Sequence, residues 1–311
     1  MKSKSALLAI MTVVLISSSS VWAQQKAENP FKTVEEVYPG LTSGGLSLAV
    51  LTDLPEGILL KAGTVEMTSE NISKIIDSQP EPVREELKKN AFFILEQEAA
   101  GRILLDLAKK AAVQPQVEIP KDENELIRQF FETAVFKNIE VTDAEIKTFY
   151  ENNKDMCGGA TFEQIKSSLK EYVLDQKKQQ IASEYIRDLG KQIPIQVSES
   201  WVKQQAALAF DNPVDKARKS GKPSVVDFGA SGCRPCDMMT PILETLAKKY
   251  EGKVNVLFVH VREQQILAAR YGIQSIPVQV FFDQNGREVF RHTGFFAQDE
   301  IEKKFKEMGI Q

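Results

Sequence analysis

Cysteine is scarce in this chain, with three in 311 residues. That is too few for a disulfide-stapled scaffold, and a pair plus one odd sulfur fits a functional dithiol better. Histidine is scarcer still, at two. A zinc site would have to gather sulfurs from distant parts of the chain around one of them, so no metal is expected. Long hydrophobic runs are also missing. Beyond Ala6 to Ile16 nothing approaches the roughly 20 apolar residues that cross a bilayer, so no stable membrane anchor is expected. Excess charge is small and acidic, −4 at pH 7, which argues for solubility and against nucleic acid as a partner.

What is present begins with a secretory address. Lys2 and Lys4 form a positive n-region and Ala6 to Ile16 an apolar h-region. Ser17 to Ser20 then lead to Val21-Trp22-Ala23, a small-x-small pattern before Gln24. The expectation is cleavage after Ala23 and export to a bacterial periplasm, with an uncleaved anchor as the alternative. No cysteine near that point could carry a lipid. Losing two lysines takes the formal charge from −4 to −6. The rest of the chain has the length of about two domains.

Residues 24–64 are cut into short pieces by Pro39, Gly40, Gly44, Gly45 and Pro55, with Leu46 to Leu51 and Ile58 to Ala62 as possible strands. From 65 to 197 the apolar spacing is helical. Thr68 with Asn71 introduces a first helix, and a longer one runs from Glu81 to Ala112. Further helices are expected over Asn124 to Asn138, Thr142 to Asn153 and Thr161 to Gln192. The last two open with capping boxes, Thr142-Asp-Ala-Glu145 and Thr161-Phe-Glu-Gln164. A strand at Ile193 to Val197 closes the region, and 198–212 reads as a linker. In the order of its elements this region resembles the helical chaperone domain of SurA-type periplasmic folding factors. The resemblance rests on Met67-Thr-Ser-Glu70, Leu104 to Ala111, Val141 to Tyr150, Thr161 to Ile165 and Ile193 to Val197. It implies binding of unfolded envelope proteins. No stretch fits the parvulin domain that accompanies such a region in prolyl isomerases, so that activity is not implied. A helical spacer or dimerisation module is the alternative.

Residues 213–311 alternate strand and helix. Ser224 to Phe228 is a β-branched and aromatic run, and the segment after Cys236, as far as Tyr250, has helical spacing. Cys233-Arg234-Pro235-Cys236 therefore falls at a strand-to-helix handover. A cysteine at a helix N-terminus is biased toward thiolate by unpaired N–H groups and the helix dipole. A thiolate attacks disulfides, and a second sulfur three residues on can close the ring and release the product. Val254 to His260 is expected as a strand, Glu263 to Tyr271 as a helix and Val278 to Phe282 as a strand. Asp283-Gln-Asn-Gly286 forms a hairpin turn to Glu288 to His292, and Gln298 to Met308 is a final helix.

Over roughly residues 210–311 the chain resembles thioredoxins. Val226-Asp-Phe228, Cys233-x-Pro-Cys236, Pro241, Tyr271-Gly-Ile273 and Ser275-Ile-Pro277 fall in that family's order and spacing. The expected fold class is thus α+β multidomain, a mainly α-helical SurA-like domain followed by an α/β thioredoxin fold at 213–311. The resemblance implies that Cys233 is the exposed nucleophile and Cys236 the buried resolving thiol. It implies that Asp227 is the buried acid that takes a proton from Cys236, with an ordinary strand-end carboxylate as the alternative. It implies a cis bond before Pro277, with the backbone of Ile276 pairing with substrate. Gly294 would admit a client chain, or be only a turn glycine. Arg234 would lower the pKa of the thiolate, or be an ordinary surface arginine. Departures from the family are Gly229 and Gly232 where tryptophans are common, and Phe258 where a lysine often stands near the acid.

The implied activity is thiol–disulfide oxidoreduction without a cofactor. The proline before Cys236 and Ile276 before Pro277 favour a protein-disulfide reductase or isomerase. Its partners would be unfolded or disulfide-containing envelope proteins and a DsbD-type membrane electron donor. The rival is a periplasmic chaperone or assembly factor whose thioredoxin domain serves binding rather than turnover. Cys157, in Asp155-Met-Cys-Gly-Gly159 between two helices, is open as a relay thiol, an intermolecular partner or an inert loop residue.

Overall fold

Strands from both ends of the first 200 residues meet in one sheet. The computed structural model describes residues 32–81, 83–112 and 122–310; the expected leader and its cleavage point lie outside them. A short helix α1 (Val34–Val37) opens with a capping box, the Thr33 N–H donating to the Glu36 carboxylate at 2.8 Å. The strands are β1 (Val50–Thr52), β2 (Ile58–Ala62), β3 (Val65–Thr68) and β4 (Ile195–Ser198), in the order β1-β4-β2-β3. β4 is parallel to β1 and antiparallel to β2. Residues 32–64, the described part of the expected 24–64 segment, are therefore not a separate piece: their strands need β4, which follows more than a hundred residues later, to satisfy their backbone groups. The first lobe is accordingly mainly helical around one four-stranded sheet.

Around that sheet run α2 (Ser69–Asp77), α3 (Val83–Lys89) and α4 (Ala91–Ala111). The long helix expected from 81 to 112 breaks at Asn90. Its backbone leaves the helical region (φ −117°, ψ 31°) and its side-chain amide donates back to the Glu86 carbonyl at 3.0 Å. Phe92, Leu95, Ala99 and Ile103 recur at helical spacing and are buried on one face of α4. Next come α5 (Glu123–Phe130), continued by a wider turn over Phe131–Val135, then α6 (Asp143–Asn152) and α7 (Phe162–Arg187). Both expected capping boxes form, at Thr142 with Glu145 and Thr161 with Gln164. The last helix of the region stops at Asp188, short of Gln192, and a turn α8 (Leu189–Gln192) leads into β4.

The expected linker is a helix. α9 (Glu199–Ala209) buries Val202, Ala206 and Ala209 at helical spacing, in the same core as Leu60, Phe92, Leu95 and Val197. An apolar stripe on one face of a helix has to be covered, so this segment joins the first lobe instead of spanning open solvent.

The second lobe starts with α10 (Pro213–Arg218), capped by the Asn212 side chain. It continues with β5 (Ser224–Gly229), α11 (Arg234–Lys249), β6 (Asn255–His260), α12 (Gln265–Arg270), β7 (Val278–Phe282), β8 (Glu288–Thr293) and α13 (Gln298–Glu307). The sheet order is β6-β5-β7-β8, with β5 parallel to β6 and antiparallel to β7. Every residue of β5 and β7 is buried, and their side chains alternate between two cores. Val225 and Phe281 pack with Met239, Leu246, Ile301 and Phe305 of α11 and α13. Val226, Phe228 and Val280 pack with Val214 and Leu267 of α10 and α12. This is the thioredoxin fold. No helix among the described residues is long and apolar enough to cross a membrane.

A buried ion cluster joins the lobes. Asp215, 1% exposed, accepts from Arg270 Nη2 at 2.6 Å, Arg218 Nη1 at 3.1 Å and Tyr271 Oη at 2.8 Å. The same guanidinium groups donate into the first lobe, Arg270 to the carbonyls of Gly40 at 3.0 Å and Ala209 at 2.9 Å, and Arg218 to that of Pro39 at 3.3 Å. Burial and the Asp215 carboxylate together push the Tyr271 hydroxyl up, so it stays protonated as a donor.

Candidate functional site

β5 ends at Gly229, and a loop bent through the positive φ of Gly232 (77°) delivers Cys233 to the N-cap of α11. Cys236, one turn into the helix, is 3% exposed, whereas Cys233 is half-buried and reaches solvent. The two are joined as a disulfide with Cα atoms 5.2 Å apart. Cys233 is the N-cap residue of α11, a position where the helix dipole favours a thiolate over a thiol once the disulfide is reduced. The Asp237 N–H closes the first turn on the Cys233 carbonyl at 2.9 Å. Arg234 is exposed beside it. The approach loop is held from β6, where His260 Nε2 accepts from the Ser231 N–H at 3.2 Å.

Asp227 lies on the α11 face of the sheet and is fully buried. One carboxylate oxygen, Oδ1, accepts from Gln279 Nε2 at 2.7 Å, and the other, Oδ2, has no hydrogen-bond partner. Burial pushes its pKa up to about 6, and the Gln279 bond pulls the other way. Gly229 shows where the free oxygen sits. A Cβ built there would lie 3.4 Å from Asp227 Oδ2, 3.4 Å from Cys236 Cβ and 2.9 Å from Phe258 Cε2. The free carboxylate oxygen and the buried cysteine therefore flank one small space, roofed by the Phe258 ring. Two of the departures noted from sequence are coupled here: the ring of Phe258 occupies room that a side chain at Gly229 would need.

Pro277 is buried, Ile276 half-buried, and the bond between them is cis. The Gly294 N–H donates to the Pro277 carbonyl at 2.8 Å. Its φ of 102° requires glycine, and no atom lies within 4 Å of where a Cβ would be. Phe228 pairs with Val278, and Val278 with Thr293, so Cys233, Ile276, Pro277 and Gly294 all follow or precede strands at one end of the sheet. Cys157 is elsewhere, in a turn (Lys154–Cys157) of the first lobe, its thiol donating to the Asn153 carbonyl at 3.4 Å. Among the described residues no cluster of His, Cys, Asp and Glu could hold a metal ion. A groove of about 610 Å³ lies between the lobes, lined by Tyr38, Phe210, Lys219 and Gly286, away from the cysteine pair.

Gln279 escaped the sequence reading. The signal was there, a single amide inside the apolar run Val278-Gln-Val-Phe-Phe282. A buried polar residue in a strand that is otherwise hydrophobic requires a partner, and the acid two strand-residues from the cysteine loop supplies it.

Residues 201–307 match the thioredoxin family. A thioredoxin from Borreliella burgdorferi is 33% identical over 100 residues, spanning 32% of this chain and 85% of that protein. One from Rickettsia bellii is 37% identical over 87 residues, 28% of this chain and 82% of its own length. Among solved structures, thioredoxin NaTrxh from Nicotiana alata aligns at 34% identity over 30% of this chain and 80% of that one, with a TM-score of 0.28.

Proposed function

Because its second lobe makes this chain a member of the thioredoxin family, with the thiol–disulfide oxidoreductase chemistry that membership implies, we propose that it is an exported protein-disulfide reductase or isomerase. The observation that carries this reading is the pairing of a half-buried Cys233 at a helix N-cap with a buried Cys236 beside the free oxygen of Asp227. In the dithiol form the Cys233 thiolate attacks a client disulfide. A Cys233–client bond forms, and the displaced client sulfur leaves with the electron pair and takes a proton. Asp227 Oδ2 accepts the proton of the Cys236 thiol. The Cys236 sulfur then attacks Cys233, the mixed disulfide breaks, and the second client sulfur departs as a thiol. Two electrons have passed to the client, and the protein holds the 233–236 disulfide. A DsbD-type membrane dithiol returns the two electrons.

Client binding beside the site falls to Ile276, Pro277, Gly294 and Arg234. The open space at Gly294 and the partial exposure of Ile276 support this. Export rests on the leader pattern ending at Ala23. A chaperone role for the first lobe rests on the SurA-like order of its elements. It is also supported by α7, a 26-residue helix none of whose residues is fully buried. The rival reading, a chaperone or assembly factor that uses the second lobe only to bind, shares these features.

Insulin reduction driven by dithiothreitol separates the two. The Cys233→Ser variant should lose turnover and keep any suppression of aggregation; equal turnover with and without that sulfur overturns the enzyme reading. Equilibration with glutathione tests direction. A potential as oxidising as about −120 mV would make the protein an oxidant rather than a reductant. Finding the chain in the cytoplasm with its leader intact would refute export.

A further inference from the structure

Asp227, Gln279 and His292 stand in one row across the sheet, because Asp227 pairs with Gln279 and Gln279 with His292. Phe258 of β6 completes the row on the other side of Asp227. Asp227 and Gln279 are both fully buried, on a face that elsewhere packs apolar side chains against α11 and α13. The Gln279 amide spends its donor on Asp227 Oδ1 at 2.7 Å and leaves its own Oε1 buried without a partner. A residue chosen for packing alone would be apolar, as Val278 and Val280 on either side are.

We propose that Gln279 is a positioning residue of the dithiol: it grips Asp227 by one oxygen so that the other stays unbonded and faces the buried cysteine. This rests on the redox reading above and adds a residue to it. The groups around Asp227 leave the task to Gln279. Phe258 from β6 has nothing to donate, and Cys236 from α11 is the group whose proton is to be received. His292 from β8 is engaged elsewhere, stacked on Phe296 at 4.2 Å with Nε2 donating to the Phe295 carbonyl at 3.1 Å. The bond from Gln279 has two effects. It fixes the rotation of the carboxyl group, which with one free oxygen could otherwise turn away from Cys236. It also favours the ionised carboxylate, opposing the burial that favours the acid. A carboxyl group held near neutrality by these opposing effects can accept a proton from Cys236 during resolution.

The test uses the full chain with Gln279→Met, close in volume but lacking the donor, and Gln279→Leu as a second variant. The titration of the Asp227 carboxyl carbon is followed by NMR, alongside the pH profile of insulin reduction and the alkylation rate of Cys233. Losing a hydrogen bond to a carboxylate should raise the Asp227 midpoint by about one to two pH units. The acid limb of the turnover profile should move up with it, while Cys233 alkylation stays unchanged. A midpoint that stays put or falls overturns the proposal. The wild-type protein gives a reading that does not depend on either variant folding. The side-chain amide protons of Gln279 should titrate with the Asp227 midpoint, and a flat response overturns the assignment. If that coupling is present but the wild-type protein reduces no disulfide, Gln279 holds Asp227 as described and it is the redox function that falls.

Discussion

Replacing Asp227 by asparagine should stabilise the protein, and only above about pH 4. The carboxyl titrates at 3.8 in an unperturbed chain and at about 6 in the fold. Between those values the unfolded chain has released a proton that the native state still holds. Stability therefore falls as pH rises through this window, and above it the native state carries the full cost of a buried carboxylate. The difference corresponds to about 3 kcal/mol at neutral pH, an upper figure because the site relaxes on ionisation. Asp227→Asn removes the titration yet keeps an oxygen to accept the Gln279 amide at its present 2.7 Å. Denaturant unfolding of the disulfide form at pH 4, 5, 6 and 7 reads the effect directly. The variant should match the wild type at pH 4 and exceed it by about 2–3 kcal/mol at pH 7, with equal m values. Stability curves that stay parallel across this range would show that Asp227 is not held above its ordinary pKa, and the proton-acceptor role would fall with it. The stabilised variant should also resolve mixed disulfides more slowly, since an asparagine amide cannot accept the Cys236 proton.

Other perturbations reach different parts of the structure. Phe258→Lys would place an ammonium in register beside Asp227. The Asp227 midpoint should then drop by about one pH unit, and an unchanged titration would refute the geometry. Asp215→Ala would strip two arginines, 8% and 1% exposed, of their shared carboxylate. The expected loss is about 3–5 kcal/mol in equilibrium unfolding, and a loss under about 1 kcal/mol would mean that the cluster does not join the lobes. Glu96→Gln removes the charge that accepts the N–H groups of Ser43 at 2.7 Å, Gly44 at 3.2 Å and Leu46 at 3.0 Å. It should cost about 2 kcal/mol in unfolding while leaving the insulin-reduction rate of the folded protein unchanged.

The second lobe was legible because its signals are local. A β-branched strand, a Cys-x-x-Cys at its end and an apolar helical stripe all lie within 27 residues of chain from Ser224 to Tyr250, and the capping boxes at Thr142 and Thr161 are shorter still. What escaped depends on contacts remote in sequence. Nothing near Val50 announces a partner at Gln196, and a three-residue strand gives no alternation to read. The polar segment around α9 resembles a linker until the first lobe's core supplies a surface for Val202 and Ala206. Asp215, Arg218 and Arg270 look like ordinary surface charges, since charged residues are rarely buried without partners and the partners are brought together only by the fold. Asp227 was readable from the family pattern. So was Phe258 beside it; the grip of Gln279 from the other neighbouring strand was not.

The position of the lobe junction constrains how client and chemistry could be combined. Ser224, at the start of β5, pairs with Phe282 at the end of β7, so the turn at Gly286 lies at the end of the sheet opposite to Cys233. Arg218 donates to the Gly286 carbonyl at 2.9 Å and to Pro39 of the first lobe at 3.3 Å, which puts the ion cluster at that same far end. β5 has six residues, and at about 3.3 Å per residue it separates junction from cysteine by about 20 Å. The first lobe is thus held at that far end by buried charge rather than by a loose linker. On the proposed chaperone reading, a client segment bound on the first lobe at the junction would have to extend about six residues past it before its disulfide meets Cys233. Peptides carrying a first-lobe binding segment and a disulfide on spacers of increasing length should therefore be reduced faster than the disulfide alone only beyond about six residues. The same acceleration at a spacer of two would show that the client approaches along a different face.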